Sequence, residues 1–136
     1  MDRYIANFEM EKTLTAFNES KQVYWIITGE INPGRNAAFR AISNCLVETT
    51  KTEPGALNYE WSIAENGQTF HIYERYADSE AARFHREHVS NVLKELYAVA
   101  TFNSFTLYGA PSDELKQSFA ARHPLVMVPR NGFSRT

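Results

Sequence analysis

Hydrophobic and polar positions change their period several times along the chain, and each change marks an element. In residues 1 to about 21, Phe8, Met10, Leu14 and Phe17 fit one side of an amphipathic helix with charge on the other. This predicts an N-terminal extension packed on the remainder. From Gln22 to about Ile31 the residues Val23, Tyr24, Trp25, Ile26, Ile27 and Thr28 are β-branched or aromatic, which predicts a strand. Asn32-Pro33-Gly34 then punctuates the chain as a turn. Arg35 to about Glu53 predicts a helix. Ala38 or Phe39, Ile42, Leu46 and Thr49 recur at helical spacing, with Arg40, Asn44, Glu48 and Lys51 on the wet side. Pro54-Gly55 stops it.

Leu57–Glu65 and Gln68–Tyr76 alternate as strands, and Asn66-Gly67 between them predicts a hairpin with a two-residue turn. That turn sets the register: Ile63 faces Phe70, Trp61 faces Ile72 and Tyr59 faces Glu74. One ribbon face is then Leu57, Tyr59, Trp61, Ile63, Phe70, Ile72, Glu74 and Tyr76. Asp78 or Ser79 caps a single helix to about Ala98 or Ala100, with Ala82, His85, Val89, Val92, Leu96 and Val99 as its apolar stripe. Thr101–Tyr108 reads as a fourth strand, Ser112 caps a short helix to about Ala121, and the tail from Arg122 reads as an extended arm.

The order β-α-β-β-α-β predicts an α+β, ferredoxin-like architecture: a four-stranded antiparallel sheet with two helices on one face. Residues 1–21 are the extension, 22–111 the ferredoxin-like unit, and 112–136 a helix and arm of the same single domain. The helices are expected over the Tyr59/Trp61/Ile72/Glu74 face. The other face would carry Trp25 or Tyr24, Tyr73, Phe105 and Leu107, which predicts a homodimer paired through that sheet face.

Composition narrows the function classes. Fourteen Lys and Arg against sixteen Asp and Glu give a formal charge of −2, which argues against a nucleic-acid binder or a polybasic membrane-surface protein. One cysteine, Cys45, excludes an internal disulfide framework and a Cys-based zinc site. It is expected to be a small core residue. No apolar run has signal-peptide or membrane-spanning length, so a soluble, cytoplasmic protein is expected.

Glu74 is the most informative position. Its register puts a carboxyl group on the apolar, helix-facing side of its strand, where it must be protonated, hydrogen-bonded or paired. Tyr59 lies across the ribbon as a candidate donor, and His85 lies on the apolar stripe of the covering helix. A Glu and a His converging on one pocket form a general-base unit; the same pair can instead tie helix to sheet without catalysis. His85 and His88 lie three apart on a helix, but no further ligand motif accompanies them and no metal is expected. Gly29, Gly34 and Gly55 form no phosphate-cradling pattern.

Glu53-Pro54-Gly55-Ala56-Leu57-Asn58-Tyr59-Glu60 resembles the helix-to-strand junction of the antibiotic biosynthesis monooxygenase family. Ile72-Tyr73-Glu74-Arg75-Tyr76-Ala77-Asp78-Ser79-Glu80-Ala81-Ala82, followed by His85, resembles its second signature. The resemblance covers roughly residues 23–110. It implies a dimeric α+β barrel with a pocket between sheet and helices in each subunit. It also implies oxidation of a small aromatic quinol or polyketide-like phenol by O2 with no cofactor, for which the converging Glu74, His85 and Tyr59 would be the catalytic group. Trp61, Tyr76, Phe39 and Phe84 would supply aromatic walls, with His88 near the helix edge; all four aromatics serve equally well as core. Relatives of this fold that degrade haem use a helix Trp and a His ten residues on. Here those places align to His85 and Glu95, so the haem reading loses both marks. A non-catalytic dimer binding a small metabolite, and an isomerase or cyclase using the same pocket, stay open as alternatives.

Overall fold

The computed structural model describes residues 14–16 and 20–135. In chain order these are β1 (Leu14–Ala16), β2 (Val23–Ile31), α1 (Asn36–Thr50), β3 (Ala56–Ile63), β4 (Thr69–Tyr76), α2 (Ser79–His88), α3 (Ser90–Val99), β5 (Ala100–Gly109), α4 (Asp113–Ser118), a 3-10 turn (Ala120–Arg122), β6 (Leu125–Val126) and β7 (Phe133–Arg135). The main sheet runs β3-β4-β2-β5-β6. Its first four strands are mutually antiparallel in the ferredoxin-like order, and β6 adds parallel to β5 through Thr106↔Leu125 and Leu107↔Val126. The expected four-stranded sheet is therefore five-stranded and mixed, because part of the tail read as a free arm pairs with the β5 edge. Farther on, β7 pairs antiparallel with β1. Leu14, expected in an amphipathic helix, lies in β1 instead; Phe8, Met10 and Phe17 lie outside the described residues.

Alternation along β2 sends Val23, Trp25, Ile27 and Ile31 toward the helices, where they meet Phe39 and Leu46 of α1 and Leu96 and Val99 beyond the hairpin. Side chains of this size, once buried, each contribute about 1.5–3 kcal/mol. The cross-strand pairs Trp25↔Leu107 and Ile27↔Phe105 place Leu107 (0% exposed) and Phe105 (8%) on this same buried face. Both were expected on the opposite face. Antiparallel partners share a face, so the parity of β2 decides the matter. The open face instead carries Tyr24, stacked on Tyr108 with centroids 5.2 Å apart, and Tyr73 at 6.4 Å from Tyr24.

The hairpin keeps the expected register, Ile63↔Phe70, Trp61↔Ile72 and Tyr59↔Glu74, but with a different turn. Ala64 N–H donates to the Thr69 carbonyl, and Gly67 N–H to the Ala64 carbonyl. Gly67 takes the left-handed conformation (φ 72°) that its missing Cβ allows, while Asn66 uses its side-chain oxygen to accept from the Gln68 and Thr69 amides. The loop is therefore wider than two residues.

Asp78 caps α2 by accepting from Ala81 N–H at 2.8 Å. The expected single helix divides at Val89 (φ −102°, ψ 5°) into α2 and α3. Hydrogen bonds from Val89 to His85 and from Leu93 to Val89 bridge the division, so Ala82, His85, Val89, Leu96 and Val99 still share one buried stripe. Cys45 is exposed rather than core. It sits one step round α1 from the buried Leu46, and a step of 100° carries it off the apolar stripe. Among the described residues no helix is long and apolar enough to cross a membrane.

Candidate active site

Three elements converge at the end of α2. The hairpin register brings Glu74 onto the helix-facing side of β4, between its ladder partners Tyr59 and Trp25. The short connection from β4 to the Asp78 cap then lays α2 back over that face, so that His85 reaches Glu74: Nε2 to Oε1 is 3.3 Å. The third element is the turn after α1, whose Glu53 was not among the residues expected to carry chemistry. Its carboxylate accepts from His85 Nδ1 at 3.1 Å and from His88 Nδ1 at 2.9 Å. Glu53, Glu74 and His85 are each no more than 4% exposed.

Local chemistry explains how Glu53 gets there. The Glu53 amide closes onto the Thr50 carbonyl as α1 ends, and Pro54 forbids a further helical turn. Gly55 then passes so close to α2 that an added Cβ would stand 2.5 Å from Ala81 Cβ, while its carbonyl accepts from Ala77 N–H at 2.9 Å. Only glycine permits that approach, and the approach holds Glu53 under His85 and His88. An acid at a helix end belongs to no periodic pattern, so nothing in the spacing of the sequence singles it out.

The arrangement is a buried carboxylate–imidazole–carboxylate clasp. Burial works against a charge on His85, but the hydrogen bond and charge of Glu74, followed by those of Glu53, overcome it and raise the imidazole above its ordinary 6.5. With Glu53 on Nδ1 and Glu74 on Nε2, the surroundings favour the protonated ring, in which both nitrogens donate. Tyr76 donates its hydroxyl to Glu74 Oε1 at 2.6 Å. Tyr76, rather than the expected Tyr59, is therefore the phenol bonded to this carboxylate. Burial first, and the Glu74 charge second, push both tyrosines well above the usual phenol range, so each keeps its proton. The Tyr59 hydroxyl faces Trp61 Nε1 and Thr50 Oγ1, two buried polar atoms that lack a hydrogen bond of good geometry. Tyr76 and His85 both approach Glu74 through Oε1, which leaves Oε2 for another proton.

A cavity of about 50 Å³ opens on this clasp. Its wall includes Glu74, His85 and Tyr59 with Trp25, Phe102, Phe105, Phe119 and Tyr97, together with Arg86 and Arg122. The other expected pocket residues lie elsewhere. Phe39 and Trp61 pack against each other and against Phe70, behind the wall. Tyr76 is fully buried between Trp25 and His85. Phe84 is 56% exposed on the outer side of α2 beside His88, and His88 turns its ring onto Glu53. His71 and Glu95 are exposed. Arg86, Arg122 and the aromatic residues beyond Tyr97 had no signal in the sequence, because the elements that bring them together are far apart along the chain.

Comparison with known proteins agrees with this architecture. No match was found among curated proteins. Among solved structures, MupZ from Pseudomonas fluorescens is 26% identical, with a TM-score of 0.76 over 85% of this chain and 96% of that one. Rv0793 from Mycobacterium tuberculosis is 25% identical, with a TM-score of 0.58 over 68% and 96% of the two chains. SnoaB from Streptomyces nogalater, a cofactor-independent oxygenase, has the same fold at 14% identity and a TM-score of 0.58, over 68% and 96%. The model of the antibiotic biosynthesis monooxygenase family matches residues 23–90, which include all three members of the Glu53–His85–Glu74 clasp. The chain belongs to the antibiotic biosynthesis monooxygenase family.

Proposed function

We propose that this protein is a cofactor-independent oxygenase that takes a small aromatic quinol or polyketide-like phenol and uses O2 as co-substrate. The observation that carries the reading is the Glu74 carboxylate, held by His85 and Tyr76 through Oε1 in the wall of an aromatic cavity. A structural neighbour, SnoaB, is a cofactor-independent oxygenase, which supports the same chemistry here.

Glu74 Oε2 accepts the phenolic proton. His85 remains protonated, steadies the carboxylate before transfer and orients it. The phenolate gives one electron to O2. The resulting aryloxyl radical and superoxide combine at a ring carbon, the peroxide takes back the proton held by Glu74, and the hydroperoxide loses water, with the hydrogen of that carbon, to leave the quinone. A phenol and O2 are thereby converted to a quinone and water. Trp25, Tyr59 and Phe105 hold the ring and keep bulk water out. Two such subunits would pair through the open sheet face, covering Tyr24, Tyr73 and Tyr108.

Oxygen uptake with a panel of hydroquinones and naphthoquinols tests this reading. Uptake by the wild type should fall by about 100-fold or more in Glu74→Gln, and His85→Ala should slow it as well. Rates untouched by both substitutions would remove the clasp from the mechanism. The carboxylates on both ring nitrogens also support a second reading, because a His85 with a raised pKa can serve as an acid. An isomerase or cyclase would then turn over a substrate without O2. Thermal stabilisation by such molecules with no turnover would favour a metabolite-binding dimer instead.

A further inference from the structure

The cavity that holds Glu74 and His85 has two guanidinium groups in its wall, Arg86 from α2 and Arg122 from the 3-10 turn after α4. Neither forms an ion pair among the described residues. Each instead packs on aromatic rings. Arg86 lies 4.0 Å over Phe119 and donates to Ser118 Oγ, while Arg122 lies over Tyr97 at 4.6 Å and Phe102 at 5.3 Å. Packing of this kind holds a guanidinium in place and leaves N–H groups free to bind a planar anion.

Burial disfavours the charge on both arginines, and Arg86 disfavours it further on Arg122. Glu74 is the carboxylate that eases both, and its Oε1 already takes Tyr76 and His85. Arg122 also borders a second, more open groove of about 290 Å³ that runs past Asn103 and Ser104. Ile27, Phe102 and Phe105 line both spaces. The groove lies where the β2–β5 register shifts between Thr28 and Gly29, so Arg122 stands between the outer groove and the inner cavity.

We propose that Arg86 and Arg122 together bind a carboxylate on the substrate, which enters beside β5 and is thereby a phenolic acid rather than a neutral phenol. The assignment rests on the reading of this cavity as the substrate site and deepens it. A carboxylate matches the planar fork of a guanidinium, and two guanidinium groups without an ion-pair partner among the described residues favour an anion beside them. With its acid group held by the arginines, the substrate would present its hydroxyl toward Glu74.

Equilibrium binding without O2 keeps this test separate from turnover. Tryptophan fluorescence, with Trp25 in the cavity wall, reports titrations of the full chain with gentisate and salicylate, each compared with its methyl ester. At least one acid should bind about tenfold tighter than its ester, the difference expected from one charge-assisted contact. Arg122→Gln and Arg86→Gln should each reduce that preference, and Arg122→Lys should retain part of it, with circular dichroism confirming that the variants are folded. Acids that bind no better than their esters, or a preference that survives in both folded Gln variants, would overturn the proposal. Displacement of gentisate by a tenth of its concentration of inorganic phosphate would overturn the carboxylate assignment. An oxygen-uptake assay that fails while the acid preference holds would count against the oxygenase reading alone.

Discussion

Replacing Glu53 by Gln keeps the shape of a side chain that is 4% exposed and removes its charge. In the native protein this carboxylate accepts from His85 at 3.1 Å and from His88 at 2.9 Å. Two opposite unit charges about 4 Å apart attract by about 4 kcal/mol at an effective dielectric near 20. The desolvation of His85 works against that attraction and is the largest single influence on its imidazole. The amide can still accept one hydrogen bond, but its NH2 group must then face a second donor. Breaking a buried pair from one side costs about 3–5 kcal/mol, and the surviving hydrogen bond places the expected loss near about 3 kcal/mol, or roughly 10 °C in Tm for a chain of this size.

The pH dependence makes that loss specific to the clasp. A histidine raised above its ordinary 6.5 in the native state contributes its full stabilisation below pH 6.5. It loses the contribution as pH rises through the raised native value, because the unfolded chain releases the proton first. The wild type should therefore lose stability as pH rises above 6.5. Glu53→Gln should show a flatter profile and differ most from the wild type on the acid side. Urea unfolding at a series of pH values, with NMR titration of the His85 ring, measures both effects. A wild-type His85 that titrates at or below its ordinary value, or an unchanged pH slope in Glu53→Gln, would refute the reasoning.

Three further perturbations probe other parts of the argument. Tyr76→Phe removes the hydroxyl that donates to Glu74 Oε1 at 2.6 Å and should cost about 2 kcal/mol in urea unfolding, since the carboxylate loses a charge-assisted partner. Gly55→Val places side-chain atoms where Ala81 already stands at 2.5 Å from a bare Cβ; it should destabilise by about 2 kcal/mol and, by moving Glu53, lower the pKa of His85 in the same NMR titration. Tyr24→Lys puts a charge into the stack with Tyr108 and Tyr73 on the open sheet face. If two subunits pair there, sedimentation should show the mass falling from two chains to one.

The sequence by itself determined the β-α-β-β-α-β order of the central elements, the Ser112 cap, a cap at Asp78 or Ser79, the hairpin register and the placement of Glu74 and His85 on facing apolar sides. These are local properties. Strand alternation, helical spacing and capping chemistry act over a few residues, and a hairpin carries its register outward from one turn. The parity of the far strand was less legible: Phe105 and Leu107 looked as if they faced outward until their pairing with Ile27 and Trp25 turned them inward. The clasp was only half visible. Glu74 and His85 sit in periodic patterns that a buried acid or imidazole disturbs, whereas Glu53 sits in a turn with no pattern to disturb. Its role depends on how closely Gly55 lets that turn approach α2.

The same distinction separates Tyr76 from Tyr59 and accounts for the two arginines. The ladder pairs Tyr59 with Glu74, but the reach of each side chain gives the hydrogen bond to Tyr76. Arg86 and Arg122 share one cavity only because α2 and the turn after α4 pack against the same end of the sheet. Only the tertiary structure decided these points. They depend on distances between segments that are remote along the chain, and closing those distances is the work of the whole core, not of any local pattern.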